Sequence, residues 1–257
     1  MAFELEQVSF SYNRKRAIDA LFLSLEQGKF YGIIGPNGCG KSTLLDLLVG
    51  HRKPESGHIR YKEKELASYS RRDLSKEIAL VPQNFYINFP YTAADIVMMG
   101  RYPYIPRFSK PTEKDLCIVR EIMVKTETEA FMERYITELS GGERQRVVIA
   151  RALVQDTRFL LLDEATSNLD INHALKLLNL AREKTEKDGK TVVAVMQNIN
   201  LAAMYCDELI FMKNGRIVTS GAVEDILTEE TIHRVFNVES EVQFQSYANT
   251  KQVVFKR

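Results

Sequence analysis

FYGIIGPNGCGKSTLLDLL, residues 30–48, decides the fold. Phe30–Ile34 is an unbroken apolar run, the pattern of a strand covered on both faces. Leu44, Leu45, Leu47 and Leu48 then recur at helical spacing. Between them, GPNGCGKS at 35–42 fits G-x-x-x-x-G-K-[ST], in the strand–loop–helix context that gives this pattern its meaning. Gly35, Gly38 and Gly40 let the backbone turn, so that the loop they form with Pro36, Asn37 and Cys39 cradles a phosphate, and Thr43 continues it into the helix. The positive end of the new helix adds to the attraction. Lys41 can reach the β- and γ-phosphates of a nucleotide, and the Ser42 hydroxyl can ligate Mg²⁺.

The rest of the chain suits such a core. It has 257 residues, 45% of them hydrophobic, with 35 Lys+Arg against 34 Asp+Glu. The length allows one or two domains, and the balanced charge excludes a protein that grips nucleic acid by bulk electrostatics. Cys39, Cys117 and Cys206 are odd in number and far apart, which argues against a disulfide framework or a zinc cluster. No apolar run approaches the roughly 18 residues of a membrane span, and MAFELEQ gives no sign of an export signal. Alternation over 3–12 and 21–25 predicts half-buried antiparallel strands; 78–81, 159–162 and 192–196 read as buried strands joined by helical crossovers. The stretch 86–142 has no evident strand and helical patterns at 92–100, 112–125 and 127–136. The tail, 238–256, again reads as strand.

A second group of residues fits nucleotide chemistry. The strand at 159–162 ends in Asp163-Glu164. A carboxylate at the carboxyl end of a buried parallel strand can hold Mg²⁺. Glu164, one residue on, is placed to accept a proton from the attacking water. LSGGERQ at 139–145, followed by RVVIARAL, resembles the signature of the ATP-binding-cassette (ABC) ATPases. Other parts follow in that family's order. Tyr12 resembles its adenine-stacking aromatic, Gln83 in VPQN the glutamine that joins core to helical subdomain and reaches the metal, and SNLD at 167–170, ending in Asp170, its D-loop. The resemblance implies a single domain over 1–257. It would be an α/β P-loop NTPase core (1–85 and 143–257) with a mixed sheet, an N-terminal antiparallel β subdomain and an inserted α-helical subdomain (86–142). It also implies that Ser140, Gly141, Gly142 and Glu143 serve the ATP of a second subunit in a head-to-tail homodimer, with Mg²⁺ held by Ser42, Gln83 and Asp163. Lys41, Glu164 and Gln197 would be the catalytic side chains.

Two function classes remain. The chromosome-organising ABC ATPases carry a coiled coil between phosphate loop and signature, and the interval from Lys41 to Leu139 has no sustained heptads. Translation-type members usually carry two cassettes, and one is present. The membrane-transporter class is favoured, and the resemblance implies the ATPase of an importer rather than an exporter, peripheral on the cytoplasmic face of the membrane. The alternatives are a soluble cassette ATPase with a non-transport role, or an importer ATPase for another small substrate. TAADIVMMGRYPYI at 92–105 and the segment from Cys206 to Glu239 resemble subunits that drive uptake of iron–siderophores, haem or cobalamin. This implies permease subunits docked near Gln83 and the helical subdomain, an indirect substrate-binding protein, and no nucleic acid. Phe85, Tyr86, Phe89, Tyr91, Tyr102 and Tyr104 fit either a groove for a permease helix or the core of a small subdomain. After the strand at 192–196, family members carry a histidine that contacts the γ-phosphate; here the residue is Gln197, followed by Asn198. Gln197 can donate a hydrogen bond but cannot carry charge, so slow hydrolysis is expected. Cys39, at a helix N-terminus beside Lys41, is expected to have a lowered thiol pKa.

Overall fold

The computed structural model describes residues 2–256. In chain order the strands are β1 (Phe3–Tyr12), β2 (Lys15–Leu25), β3 (Phe30–Ile34), β4 (Ser56–Tyr61), β5 (Lys64–Glu65), β6 (Ile78–Val81), β7 (Phe159–Asp163), β8 (Thr191–Val195), β9 (Glu208–Lys213), β10 (Arg216–Ala222), β11 (Ser240–Gln245) and β12 (Thr250–Phe255). The helices are α1 (Lys41–Leu48), α2 (Arg71–Glu77), α3 (Ala93–Met98), α4 (Glu113–Lys125), α5 (Gly141–Leu153), α6 (Ile171–Asp188), α7 (Ile199–Tyr205), α8 (Val223–Ile226) and α9 (Glu229–Phe236). The chain separates into two compact units, one made of the residues up to Ser70 and from Ala181 onward, the other of Arg71–Leu180.

The first unit carries an antiparallel sheet in the order β2-β1-β4-β5. It also carries β3, paired parallel with β8 on one side and with β9 on the other, while β10 runs antiparallel to β9. The mixed sheet and the N-terminal antiparallel layer are those expected. Every residue of β3 and β8 is buried, which explains why both read as continuous apolar runs rather than alternating ones. β2 begins at Lys15, well before the alternation at residue 21. β4, β9 and β10 were not legible as strands. β10 has no buried residue and so shows no core face, while β4 alternates over only six residues with just Ile59 and Tyr61 buried. The predicted tail strand is a hairpin, β11 against β12, in the register Val242↔Val253.

The second unit pairs β6 parallel with β7, from Ile78↔Phe159 to Val81↔Leu162, and surrounds the pair with helices. α3 and α4 both start on capping boxes, Thr92 with Asp95 and Thr112 with Asp115. Asp115 also accepts from buried Arg101 (3.0 Å), whose other arm donates to the Val154 carbonyl at 2.9 Å. The helix expected over 127–136 is not formed; two short 3₁₀ turns, Glu129–Phe131 and Ile136–Glu138, stand there. The hydroxyls of Thr126 and Thr128 bond to the Ile122 and Met123 carbonyls, and Glu127 turns left-handed at φ 53°. Such local side-chain bonds end α4 and compete with a further helix. Among the described residues no helix is long and apolar enough to cross a membrane.

Candidate functional site

In the first unit, β3 delivers the chain into the loop at Gly35 and α1 carries it away. The turn is tight. A Cβ on Gly35 would lie 2.2 Å from the Met212 carbonyl, and one on Gly40 (φ 108°) would lie 2.5 Å from the Ala17 carbonyl. Around Gly38 (φ 76°) there is open space. The Lys41 ammonium is drawn into the loop, donating to the Gly35 and Pro36 carbonyls at 2.8 and 3.1 Å. The side of the loop made by Asn37, Gly38 and Ser42 is exposed, while Cys39, Lys41 and Thr43 are buried. A cradle of bare backbone with one buried cation and a hydroxyl at a helix N-terminus suits a phosphate chain.

The Cys39 expectation fails here. Burial pushes its thiol pKa up, outweighing the Lys41 charge that pulls it down, so the thiol stays protonated at neutral pH. Tyr12, at the end of β1, is part exposed, with Phe10 against it edge-on at 4.9 Å and the Arg52 guanidinium 5.4 Å from its ring centre. Gln197 is exposed directly after buried β8 and Met196, and Asn198 caps α7 by accepting from the Leu201 N–H at 3.0 Å.

In the second unit, β6 and β7 bring Gln83, Asp163 and Glu164 together. Asp163 and Glu164 are both buried. The Gln83 Nε2 donates to the Glu164 Oε2 at 2.8 Å. Glu164 adopts φ 48°, a left-handed conformation that costs a non-glycine residue about 1 kcal/mol or more. Ser167 holds that turn, its N–H and Oγ both donating to the Glu164 carbonyl at 3.0 and 2.8 Å.

Ser140 caps α5. Its Oγ accepts from the Glu143 N–H, and its own N–H donates to the Glu143 carboxylate at 2.8 Å, which holds that carboxyl below its usual pKa. Glu143 therefore builds the turn, while Ser140 and Gly141 face outward and a Cβ on Gly141 would meet nothing within 4 Å. Asp170 caps α6, accepting from the His173 N–H at 2.9 Å and facing its Nδ1 at 2.8 Å.

Two features went unread in the sequence. Buried Gln145 donates to the Ala165 carbonyl at 3.3 Å, tying the signature helix to the turn after Glu164. Glu127 gathers Lys176, His173 and Arg146 around one carboxylate. Both are long-range contacts that no local spacing encodes. The aromatic cluster is not core, since Tyr86 and Phe89 are 79% and 68% exposed and Tyr91 and Tyr102 are exposed too. Beside Tyr102, a groove of about 420 Å³ is lined by Arg71, Arg72, Ser75, Met99 and Gln155.

Among the described residues no cluster of three or more His, Cys, Asp or Glu stands ready for a metal. Ser42 in the first unit, and separately Asp163 and Gln83 in the second, carry hard oxygen donors of the kind that share Mg²⁺ with substrate phosphates rather than cage it alone.

A profile of the ABC transporter family matches residues 18–167. The cobalamin import ATP-binding protein BtuD of Halobacterium salinarum is 40% identical over 222 residues, 86% of this chain and 55% of that protein. The chain thus spans about half the length of the first curated relatives it matches. The ferric enterobactin transport ATP-binding protein FepC of Escherichia coli is 35% identical over 249 residues, 97% of this chain and 92% of that one. Among solved structures, an inward-facing transporter described as metal-chelate type superposes with TM-score 0.84 at 30% identity, covering 100% of this chain and 97% of that one. The dimeric cassette MJ0796 with ADP and phosphate gives 0.76 at 28%, covering 86% and 98%.

Proposed function

The chain belongs to the ABC transporter family, and from that premise we propose that it is the ATP-hydrolysing subunit of an importer for a metal chelate of the iron–siderophore, haem or cobalamin class. It works as a homodimer on the cytoplasmic face of the membrane, docked on permease subunits and served indirectly by a substrate-binding protein. The names of its relatives support the substrate class. One observation carries the ATPase reading. The chain has two cradle turns, each opening a helix, at Gly35–Gly40 before α1 and at Ser140, the cap of α5, with Gly141 and Gly142 in its first turn. One ATP needs the first. The outward-facing second is suited to the γ-phosphate of a partner's ATP.

Lys41 draws the β- and γ-phosphates into the loop, and Tyr12 stacks on the base. Ser42, Asp163 and Gln83 supply the oxygens for Mg²⁺, which when bound neutralises the charge that develops on the transferring phosphoryl group. Glu164 accepts a proton from the water that attacks the γ-phosphorus as the bond to the β,γ-bridging oxygen breaks. Gln83 donates to that carboxylate, so a shift of Gln83 changes the hydrogen bonding of the base. Gln83 shares its unit with the exposed aromatics and the groove beside Tyr102. Gln197 donates one neutral hydrogen bond to the γ-phosphate.

The test is uptake in cells carrying Lys41→Ala in place of this protein. Uptake of radio-iron siderophores or labelled cobalamin is expected to stop, with Mg²⁺-dependent ATP hydrolysis lost from the purified protein. Undiminished uptake of every chelate together with lost hydrolysis overturns the substrate class; undiminished hydrolysis overturns the ATPase reading.

A further inference from the structure

Gln197 sits at the start of a helix that has little reason to hold its shape alone. α7 is seven residues long, well under the roughly 12–15 residues at which isolated helices become even marginal in water. Burial of Ile199, Ala202 and Ala203 holds one face of it, and the other support comes from the far end of the chain. The Asn200 side-chain amide pairs with the main chain of Val253 in β12 as a neighbouring strand would. Its Oδ1 accepts from the Val253 N–H at 2.7 Å, and its Nδ2 donates to the Val253 carbonyl at 3.1 Å. Val253 is 3% exposed, so both of its backbone groups would otherwise be buried without a partner.

Two further bonds follow the same seam. The Thr250 hydroxyl donates to the Ala203 carbonyl at 3.0 Å, and the Gln252 Nε2 donates to the Asn200 carbonyl at 3.4 Å. Asn198, which caps α7, lies between Gln197 and this seam.

We propose that Asn200 is a positioning residue for ATP hydrolysis, and that the β11–β12 hairpin is a strap that, through Asn200 and Thr250, holds α7 and so fixes Gln197 toward the γ-phosphate. The inference rests on the reading of Gln197 given above. ATP binding draws on the phosphate loop and Tyr12, so loosening α7 should reach turnover and spare affinity. An amide is required because it alone offers a donor and an acceptor in the geometry of a peptide group. Leucine matches its shape and offers neither.

The experiment is a double-mutant cycle in the full chain with Asn200→Leu, Gln197→Ala and both together, read as single-turnover hydrolysis and as ATP affinity. Thr250→Val is a milder companion, and amide hydrogen exchange over 199–205 is followed in each. Asn200→Leu is expected to lower the hydrolysis rate about tenfold, with ATP affinity within twofold. It should speed exchange in α7 but not in α1, and add nothing when Gln197 is already Ala. Thr250→Val should move the same readouts in the same direction by less. An equal loss in both backgrounds, or a parallel loss of ATP affinity, would reduce Asn200 to a structural residue and overturn the proposal. If Gln197→Ala leaves hydrolysis unchanged, the role of Gln197 falls and the strap loses its target. If Gln197→Ala slows hydrolysis but Asn200→Leu does not, only the strap falls.

Discussion

Three glycines of one loop should respond to the same substitution in different ways. Gly40→Ala places a Cβ 2.5 Å from the Ala17 carbonyl and 3.0 Å from the Ile18 Cδ1, at φ 108°. The left-handed backbone costs about 1–2 kcal/mol, and forcing an atom against fixed backbone adds about 1–3 kcal/mol. A less flexible unfolded chain returns about 0.4–1 kcal/mol. A net loss of about 2–4 kcal/mol lowers Tm by about 5–15 °C in a chain of this size, and the loop shift that relieves the clash should weaken ATP binding at least tenfold. Gly35→Ala, whose Cβ would lie 2.2 Å from the Met212 carbonyl without a left-handed backbone, should be as severe. Gly38→Ala meets nothing within 4 Å. It carries only the cost of its φ of 76°, less the same entropic return, and Tm should fall by no more than about 6 °C. Calorimetry of the three variants with titration of a fluorescent ATP analogue reads both quantities. A Gly40→Ala protein that melts and binds like the parent, or a Gly38→Ala protein that melts like Gly40→Ala, refutes the close-approach account.

Gln197→His restores a side chain that can carry charge, and single-turnover hydrolysis in the presence of the membrane partner should rise about 10²–10³-fold at similar ATP affinity; an unchanged rate means that Gln197 or a neighbour already supplies that contact. Iodoacetamide should label exposed Cys117 readily and buried, protonated Cys39 slowly at neutral pH; rapid labelling of Cys39 that ATP suppresses contradicts its burial. Asp115 is held below its usual pKa by bonds from Thr112 first and by Arg101. A depressed folded-state pKa stabilises above the unfolded value, about 3.9, and that contribution fades as pH falls through the folded value. Asp115→Asn should therefore melt lower at pH 7, with the gap closing below about pH 4; a gap that persists in stronger acid excludes the ionised carboxylate as its source.

Much of this was legible because its signals are local. The run at 30–34, the glycines of 35–40 and the leucines of α1 each declare themselves within a few residues. So does the apolar strand that ends in Asp163. What stayed hidden depends on partners distant in sequence. The spacing around Cys39 suggested an activated thiol, yet its surroundings, among them the Gly215 N–H that donates to its carbonyl, bury it. The helical period over 127–136 is real, but the hydroxyls of Thr126 and Thr128 bond back into α4 and end it first. Asn200 reads as one more polar residue on a short amphipathic helix, and only Val253, from the last strand, gives its amide a task.

The most direct test of a dimer closing on ATP uses Glu164→Gln, which removes the base but keeps a side chain that can sit beside Gln83. Light scattering of this variant, without nucleotide and then with Mg²⁺-ATP, should show its mass double, with one ATP retained per subunit and hydrolysis down by at least about 10²-fold. A Glu164→Gln protein that binds ATP yet stays monomeric, or that hydrolyses it within about twofold of the parent rate, contradicts the account.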